Sequence, residues 1–489
     1  TVYSRFTGFV ERYPMTFQAP NRGEVNLIAT DQIASMSQVT LENLYTAETL
    51  LLNPYYYYPL SSEKDSVAAA NMSAYNQPYM NLAVGSSVAA GKPGAAGFGD
   101  ESAQVIVAAG TNAAYTVWGG NDSTPYQYLA LPNIQDLSWI PGVGETSRTY
   151  TFEVWFKLSA PDGVDHLANA PLVIENPGET GGAGQVSIYI EYNAVSPTVD
   201  VLTSEPTVFT SQAIDADTFY GAWHHMMVSV ERQSGSGLVT VKSVLDGGAT
   251  LTDTGTVSLG DITQISLMPL SQGSVAHFAV YPGDQTAEAA TRYEMGLTGY
   301  AGEALSARFE RLFGLAGFVW PMVSAQQSVS YAGAAASLYG QNLFDASQSL
   351  ADTEASTWSI AGNGTVVFNN RRQRQTQTTY LFTFADTSSG NQYMADQITL
   401  NNDPTFVLND ITVTRSGGVT SNAYDSASAV KYFPRTYSRT IYNTSDLEAI
   451  DCAFYLLDRY KDPTLRIESF TLTPAANPAT WAAALGVDL

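Results

Sequence analysis

The chain of 489 residues contains one cysteine, Cys452, only four histidines, and 22 lysines and arginines against 46 aspartates and glutamates. A single thiol excludes an internal disulfide framework. Cys452 lies between Asp451 and Ala453 in a helical pattern, where it reads as a small core residue. The formal net charge of −24 repels phosphate backbones and argues against nucleic acid as a partner. The basic residues gather only at Arg371, Arg372 and Arg374 in "NNRRQRQ", which reads as ion pairs or a subunit contact rather than a binding patch. No apolar run approaches the ~18 residues needed to span a bilayer, and the first residues lack the basic-then-apolar character of a signal segment.

Catalytic signatures are equally scarce. The histidines are His166, His224, His225 and His277, and no G-x-S-x-G elbow accompanies them. Cys452 is far from all four in sequence. His224 and His225 are adjacent in the strand-like run "WHHMMVSVER", so their side chains leave opposite faces and cannot chelate one ion together. One face carries His224, Met226, Val228 and Val230; the other carries Trp223, His225, Met227 and Ser229. His277 is expected to lie across the sheet from one of the pair. Sandwich glycosidases need paired carboxylates, but Glu153, Glu191 and Glu231 each stand alone in their segments. The expectation is therefore no enzyme, no catalytic, cofactor or metal residues, and no cofactor. Calcium stays open, because Asp122, Asp200, Asp215, Asp217 and Asp246 all read as loop residues, each more in keeping with a turn. The Gly-rich "GETGGAGQV" lacks the lysine of a phosphate loop. The sequons at Asn71, Asn121, Asn363 and Asn443 carry no weight in a Ser/Thr-rich chain.

What the chain does have is sheet. From residue 150 to 283 the segments "YTFEVWFKLS", "VSIYIEYN", "WHHMMVSVER", "VTVKSVLDGG" and "VAHFAVYPG" alternate apolar and mixed positions between turn residues. That pattern predicts an antiparallel sandwich. The opening fifty residues give two strands and a short helix from Asp31, too little to bury a core alone. Beyond the sandwich come a helix starting at Thr286 and a second with Leu305, Phe309, Leu312, Phe313 and Ala316 on one face. A third helix leads into a hairpin turning at Gly362–Gly364. A fourth has a capping box of Ser445 with Glu448 and stops before Pro463; a last runs from Asn477 and Pro478 to Gly486. The simplest topology is an insertion. Residues 1–52 and 320–489 form a discontinuous α+β scaffold, 53–285 the sandwich, and 286–319 a helical connection. Both ends are expected either to be cut from a longer polypeptide or to bound only its ordered part.

The order "tFEvWFk", "WHH", "vDG" and "faVY" over roughly residues 115–285 resembles the laminin-G/concanavalin A-like jelly-roll family. The flanks, "FTGFVERYP…EVNLIATDQIASM" and "YYYYPLSSEKDS", followed by "DRYKDPTLRIESFTLTP", resemble the minor tail proteins of long-tailed phages of actinobacteria. The Ala/Gly-rich region 84–114 aligns to neither. The resemblance implies a mainly β chain, with the jelly roll inserted into a tail-hub-like α+β domain. It implies a structural virion protein at the tail tip or baseplate, its hub domains forming a ring below the tail tube. Three copies are preferred over six, with distal tail, tape-measure and fibre proteins as partners. Within that frame the sandwich either holds host cell-wall glycan or serves as a spacer, and Trp118 and Trp139 are the aromatics expected to report on sugar stacking. The alternative is a secreted or surface carbohydrate-binding protein, or a glycosidase, of the concanavalin A-like class.

Overall fold

The computed structural model describes residues 7–18, 22–61, 68–74, 80–84, 88–92, 104–107, 128–132, 134, 136–158, 168–177, 183–191, 198–203, 208–268, 273–317, 322–324, 330–333, 340–371, 383–385 and 392–472. His166, Trp118, Asp122, Asn121, Arg372, Arg374 and the expected helix from Asn477 lie outside them. The chain divides into two compact units, one of Thr1–Glu42 with Tyr300–Leu489, the other Asn43–Gly299. The second unit thus takes in residues 43–52, which the sequence grouping places with the scaffold. The stretch 286–319 divides between the units at residue 299.

The second unit is mainly β and is built from two antiparallel sheets packed around a shared core. One sheet runs, in spatial order, Val208–Ala213, Thr198–Thr203, Ala183–Glu191, Ala168–Pro177, Gln264–Leu267, Tyr128–Pro132, Met80–Val84 and Ala68–Ala69. The other runs Leu251–Thr256, Leu238–Leu245, His224–Gln233, Ser147–Leu158, Gly273–Pro282, Gln104–Val107 and Val88–Lys92. The short strand Tyr56–Tyr58 also pairs with Gly273–Pro282. Period-2 alternation decides what each face buries. Phe152, Val154 and Phe156 join Met226, Val228 and Val230 in the core between the sheets. Met227, Val244, Ala279 and Tyr281 leave the opposite face and form a second cluster with Ala289 of the helix Ala289–Thr298. The tyrosine run obeys the same rule: Tyr56 and Tyr58 enter the inter-sheet core, and Tyr57 enters the second cluster.

Among its described residues the first unit holds two smaller cores. Leu305, Phe309, Leu312 and Phe313 pack with Leu343, Leu350, Val366 and Phe368, so the predicted apolar helix face is buried, with Ala316 only partly so. The hairpin is present, Thr357–Ile360 pairing antiparallel with Val366–Asn369. In the other core the helix Asp446–Tyr460 lays Ala449, Cys452, Ala453 and Leu456 on Ile411 and Val413. Its predicted capping box does not form. Ser445 makes no side-chain cap, and Glu448 accepts instead from Asn443 Nδ2 at 2.5 Å, which engages the carboxylate the box would need. Among the described residues no helix is long and apolar enough to cross a membrane.

Candidate functional site

The adjacent histidines leave opposite faces of the His224–Gln233 strand, as period-2 geometry requires. Each meets a carboxylate. His224 Nδ1 lies 2.7 Å from Asp246 Oδ2, and its Nε2 lies 2.7 Å from the Phe219 carbonyl. The ring stacks on Phe219 with centroids 3.8 Å apart. Both nitrogens are engaged, so this imidazole has no lone pair or proton for a substrate. Asp246, in a left-handed turn at φ 52°, also accepts the His225 backbone N–H at 2.8 Å. Gly247 follows it, and a Cβ there would meet Ala290 Cα at 2.8 Å. The "WHH…DG" pattern is therefore a structural corner in which the aspartate ties the hairpin end to both histidines.

His225 enters a sealed ionic network whose hub is Glu153. Oε1 of Glu153 accepts from His225 Nε2 at 2.7 Å, Arg292 Nε at 2.6 Å and Tyr45 OH at 2.6 Å. Oε2 accepts from Tyr281 OH. Trp155 Nε1 donates to Tyr45 OH at 2.6 Å, and Arg292 Nη2 donates to Thr49 Oγ1 at 2.5 Å. Burial alone would raise the Glu153 carboxyl, but the Arg292 charge and the His225 hydrogen bond hold it well below the usual carboxylate range. Burial pushes the Tyr45 and Tyr281 phenols up. Next to this hub, His277 Nδ1 meets Tyr57 OH at 2.8 Å, and burial lowers its imidazole to about 3. A register shift between Glu153 and Trp155, opposite Ala279 and Ala276, makes room for His277 at φ 43°. Glu153, His225 and Arg292 are all at most 3% exposed, so no solute reaches them. The network clamps the helices Leu44–Leu51 and Ala289–Thr298 to the sheet. Helix and sheet meet closely where Gly296 sits against the Trp155 ring.

The other candidates separate by role. Asp200 is not a loop residue: it lies in the strand Thr198–Thr203 and accepts from Thr198 Oγ1 at 3.2 Å. Asp215 caps the short helix Ala216–Phe219 by accepting Asp217 N–H. Trp139 is fully buried against Phe152 and cannot stack on a sugar. Asn71 spends its side-chain oxygen on the backbone N–H groups of Tyr57 and Ser73. Among the described residues no three His, Cys, Asp or Glu side chains converge as a metal site.

An accessible site does exist at one end of the sandwich. A cleft of about 550 Å³ is lined by Tyr55, Asp136, Glu145, Arg148 and Tyr150. Tyr55 and Tyr150 meet edge to face, centroids 6.0 Å apart. The Tyr55 backbone is pinned by its N–H to the Val280 carbonyl at 2.7 Å. Arg148 donates through Nε at 3.0 Å and Nη2 at 2.7 Å to Glu145 Oε2, and through Nη1 at 3.3 Å to the Ser138 carbonyl. The Gly142 N–H donates to the same Glu145 oxygen at 2.8 Å, and with Arg148 it lowers that carboxyl. The Tyr150 hydroxyl donates to the Ser138 carbonyl at 3.2 Å. Burial, helped by Asp136, pushes Tyr56 behind the cleft up to about 12. The arrangement presents aromatic surface beside hydrogen-bonding groups fixed before any ligand arrives. Sequence reasoning missed it because its residues come from loops and strand ends. The one signal was the clustering of "NPYYYYP" with "GETSRTY" near polar turns.

No family model and no curated protein matches the chain. Among solved structures it is similar to domain 4 of an extracellular arabinanase from Geobacillus stearothermophilus in complex with arabinotriose. That match has 12% identity and a TM-score of 0.27, over 49% of this chain and 98% of that one. It is also similar to the winged bean acidic lectin complexed with methyl-α-D-galactose, with 10% identity and a TM-score of 0.25 over 37% and 88%. A third is the receptor binding domain of botulinum neurotoxin type G, with 9% identity and a TM-score of 0.31 over 65% and 66%.

Proposed function

We propose that this chain is a structural virion protein of a phage tail tip whose sandwich unit attaches to host surface glycan by binding without catalysis. The observation that carries the binding role is the cleft of Tyr55, Tyr150, Glu145 and Arg148, which is open to solvent while the histidine–carboxylate pairs among the described residues are sealed or capped. The tail-tip role rests on the order of motifs along nearly the whole sequence, with a discontinuous unit interrupted by the sandwich. In this reading the first unit assembles with further copies of itself, three in preference to six, and with other tail proteins. Apolar side chains such as Phe9, Tyr13, Leu27, Leu447 and Phe454 are exposed on it and suit protein contacts.

Two measurements test the reading. Gold-labelled antibody against the chain, imaged on purified particles, is expected to decorate the tail tip. Label absent from every particle would remove the virion role. Purified protein is expected to be retained on intact actinobacterial cell walls and to release no soluble sugar from them. Release of sugar would make it an enzyme.

A further inference from the structure

We propose that the cleft recognises a neutral sugar through two neighbouring hydroxyl groups and rejects acidic sugars. The proposal rests on the glycan-binding reading of the sandwich and assigns it a ligand class. Glu145 supplies the first part. Three donors, Gly142 N–H, Arg148 Nε and Arg148 Nη2, all fall on Oε2. Among the described residues no hydrogen bond occupies Oε1, so the carboxylate is locked in orientation with one acceptor unused. Arg148 supplies the second part. A guanidinium has five N–H donors. The bonds to Glu145 and the Ser138 carbonyl use three, and the nearby Tyr150 hydroxyl takes at most one more. An unused acceptor and an unused donor thus stand side by side on a rigid pair.

Adjacent ring hydroxyls of a pyranose or furanose complement that pair: one donates to Glu145 Oε1 while its neighbour accepts from Arg148. A single hydroxyl satisfies only half of it, and leaving the other half desolvated and unpaired costs affinity. The exposed part of the Tyr55 ring, held by Tyr150, offers a flat apolar surface to the carbon face of the same sugar.

Charge fixes the class. The lining carries two carboxylates, Asp136 and Glu145, against one guanidinium, Arg148, and that guanidinium is already paired with Glu145. An acidic sugar finds no unpaired guanidinium among the described lining residues and adds its carboxylate beside Asp136 and Glu145, within a chain of net charge −24. A neutral sugar pays neither cost.

The test compares β-1,4-galactan with the polygalacturonate made from it by oxidising its C6 hydroxymethyl groups to carboxylates, coupled at equal density to beads and incubated with the full chain. Retention on galactan should exceed that on polygalacturonate by about tenfold or more. Glu145→Ala and Tyr55→Ala should each lower galactan retention by about tenfold, with the far-ultraviolet circular dichroism unchanged. Arg148→Ala, which keeps the aromatic wall, serves as an independent third variant and should do the same. Galactan whose C2–C3 diols have been cleaved by periodate should not be retained. Equal or stronger retention on polygalacturonate would overturn the neutral-sugar assignment while leaving glycan binding intact. Undiminished retention by all three variants would overturn this cleft as the site. If neither polymer nor intact cell walls retained the protein, the glycan-binding reading itself would fail, and the assignment with it.

Discussion

Arg292 lies 2.6 Å from Glu153, and both side chains are all but excluded from solvent, although 139 residues separate them in the chain. The pair joins a helix to the sheet it covers. Each charge has the other as its main compensation in a region that water cannot enter. Removing one partner strands the other.

Glu153→Ala should therefore destabilise the sandwich unit by about 3–5 kcal/mol. Arg292→Leu should fall in the same range. The double variant should cost less than the sum of the two, because no uncompensated charge remains. Urea unfolding of the four proteins closes the cycle, and additive losses would show that the two groups do not depend on each other.

Stability should decline in acid, with a slope set by His277. Its imidazole is lowered from 6.5 to about 3 by burial, so the folded form stays neutral while the unfolded chain takes up a proton below pH 6.5. The contribution is fully present above that pH and is lost as pH falls toward 3, on the order of 5 kcal/mol across the window. Glu153, also depressed, acts in the same direction below the ordinary carboxylate range. Asparagine tolerates the left-handed backbone at position 277. His277→Asn should therefore flatten the slope of urea midpoint against pH between about 6.5 and 4. An unchanged slope would exclude this histidine as its source.

Gly296→Ala should carry the opposite sign from the usual helix substitution. Alanine for glycine inside a helix ordinarily stabilises by roughly 0.5–1 kcal/mol. Here the added Cβ would sit 2.1 Å from Trp155 Cζ2, and the overpacking should cost about 1–3 kcal/mol. A raised thermal midpoint would contradict the close approach.

Asp246→Ala removes the acceptor of both His224 Nδ1 and the His225 N–H. A loss of about 2 kcal/mol is expected, read as a lower thermal midpoint. Binding to galactan beads should be unchanged, since the corner takes no part in the cleft.

Much of the sandwich was legible because strand alternation is local. The separation of His224 from His225 needed only the period of two, and so did the core face through Met226, Val228 and Val230. The Glu153 network was not legible. Its members Tyr45, Glu153, His225, Tyr281 and Arg292 come from two helices and three strands, and nothing in the run "FEVWFK" announces that its lone carboxylate has four donors. Trp139 was expected to report on sugar stacking, yet its ring is fully buried against Phe152. The Ser445–Glu448 capping box fits its sequence template, but the Asn443 side chain captures the glutamate. The cleft escaped for the same reason as the network: Tyr55 and Arg148 meet only after Tyr56–Tyr58 docks beside Gly273–Pro282.

That tyrosine strand has a mechanical meaning as well. Tyr55 stands in the cleft, Tyr56 and Tyr58 are wedged between the sheets, and Tyr57 is tied to His277 beneath the helices. Its backbone runs antiparallel to Phe278–Val280. Tension applied at Tyr55 along the strand must shear those hydrogen bonds together and drag three buried rings with them, whereas tension across it would peel the bonds one at a time. The resistance of the anchorage thus depends on the direction of pull.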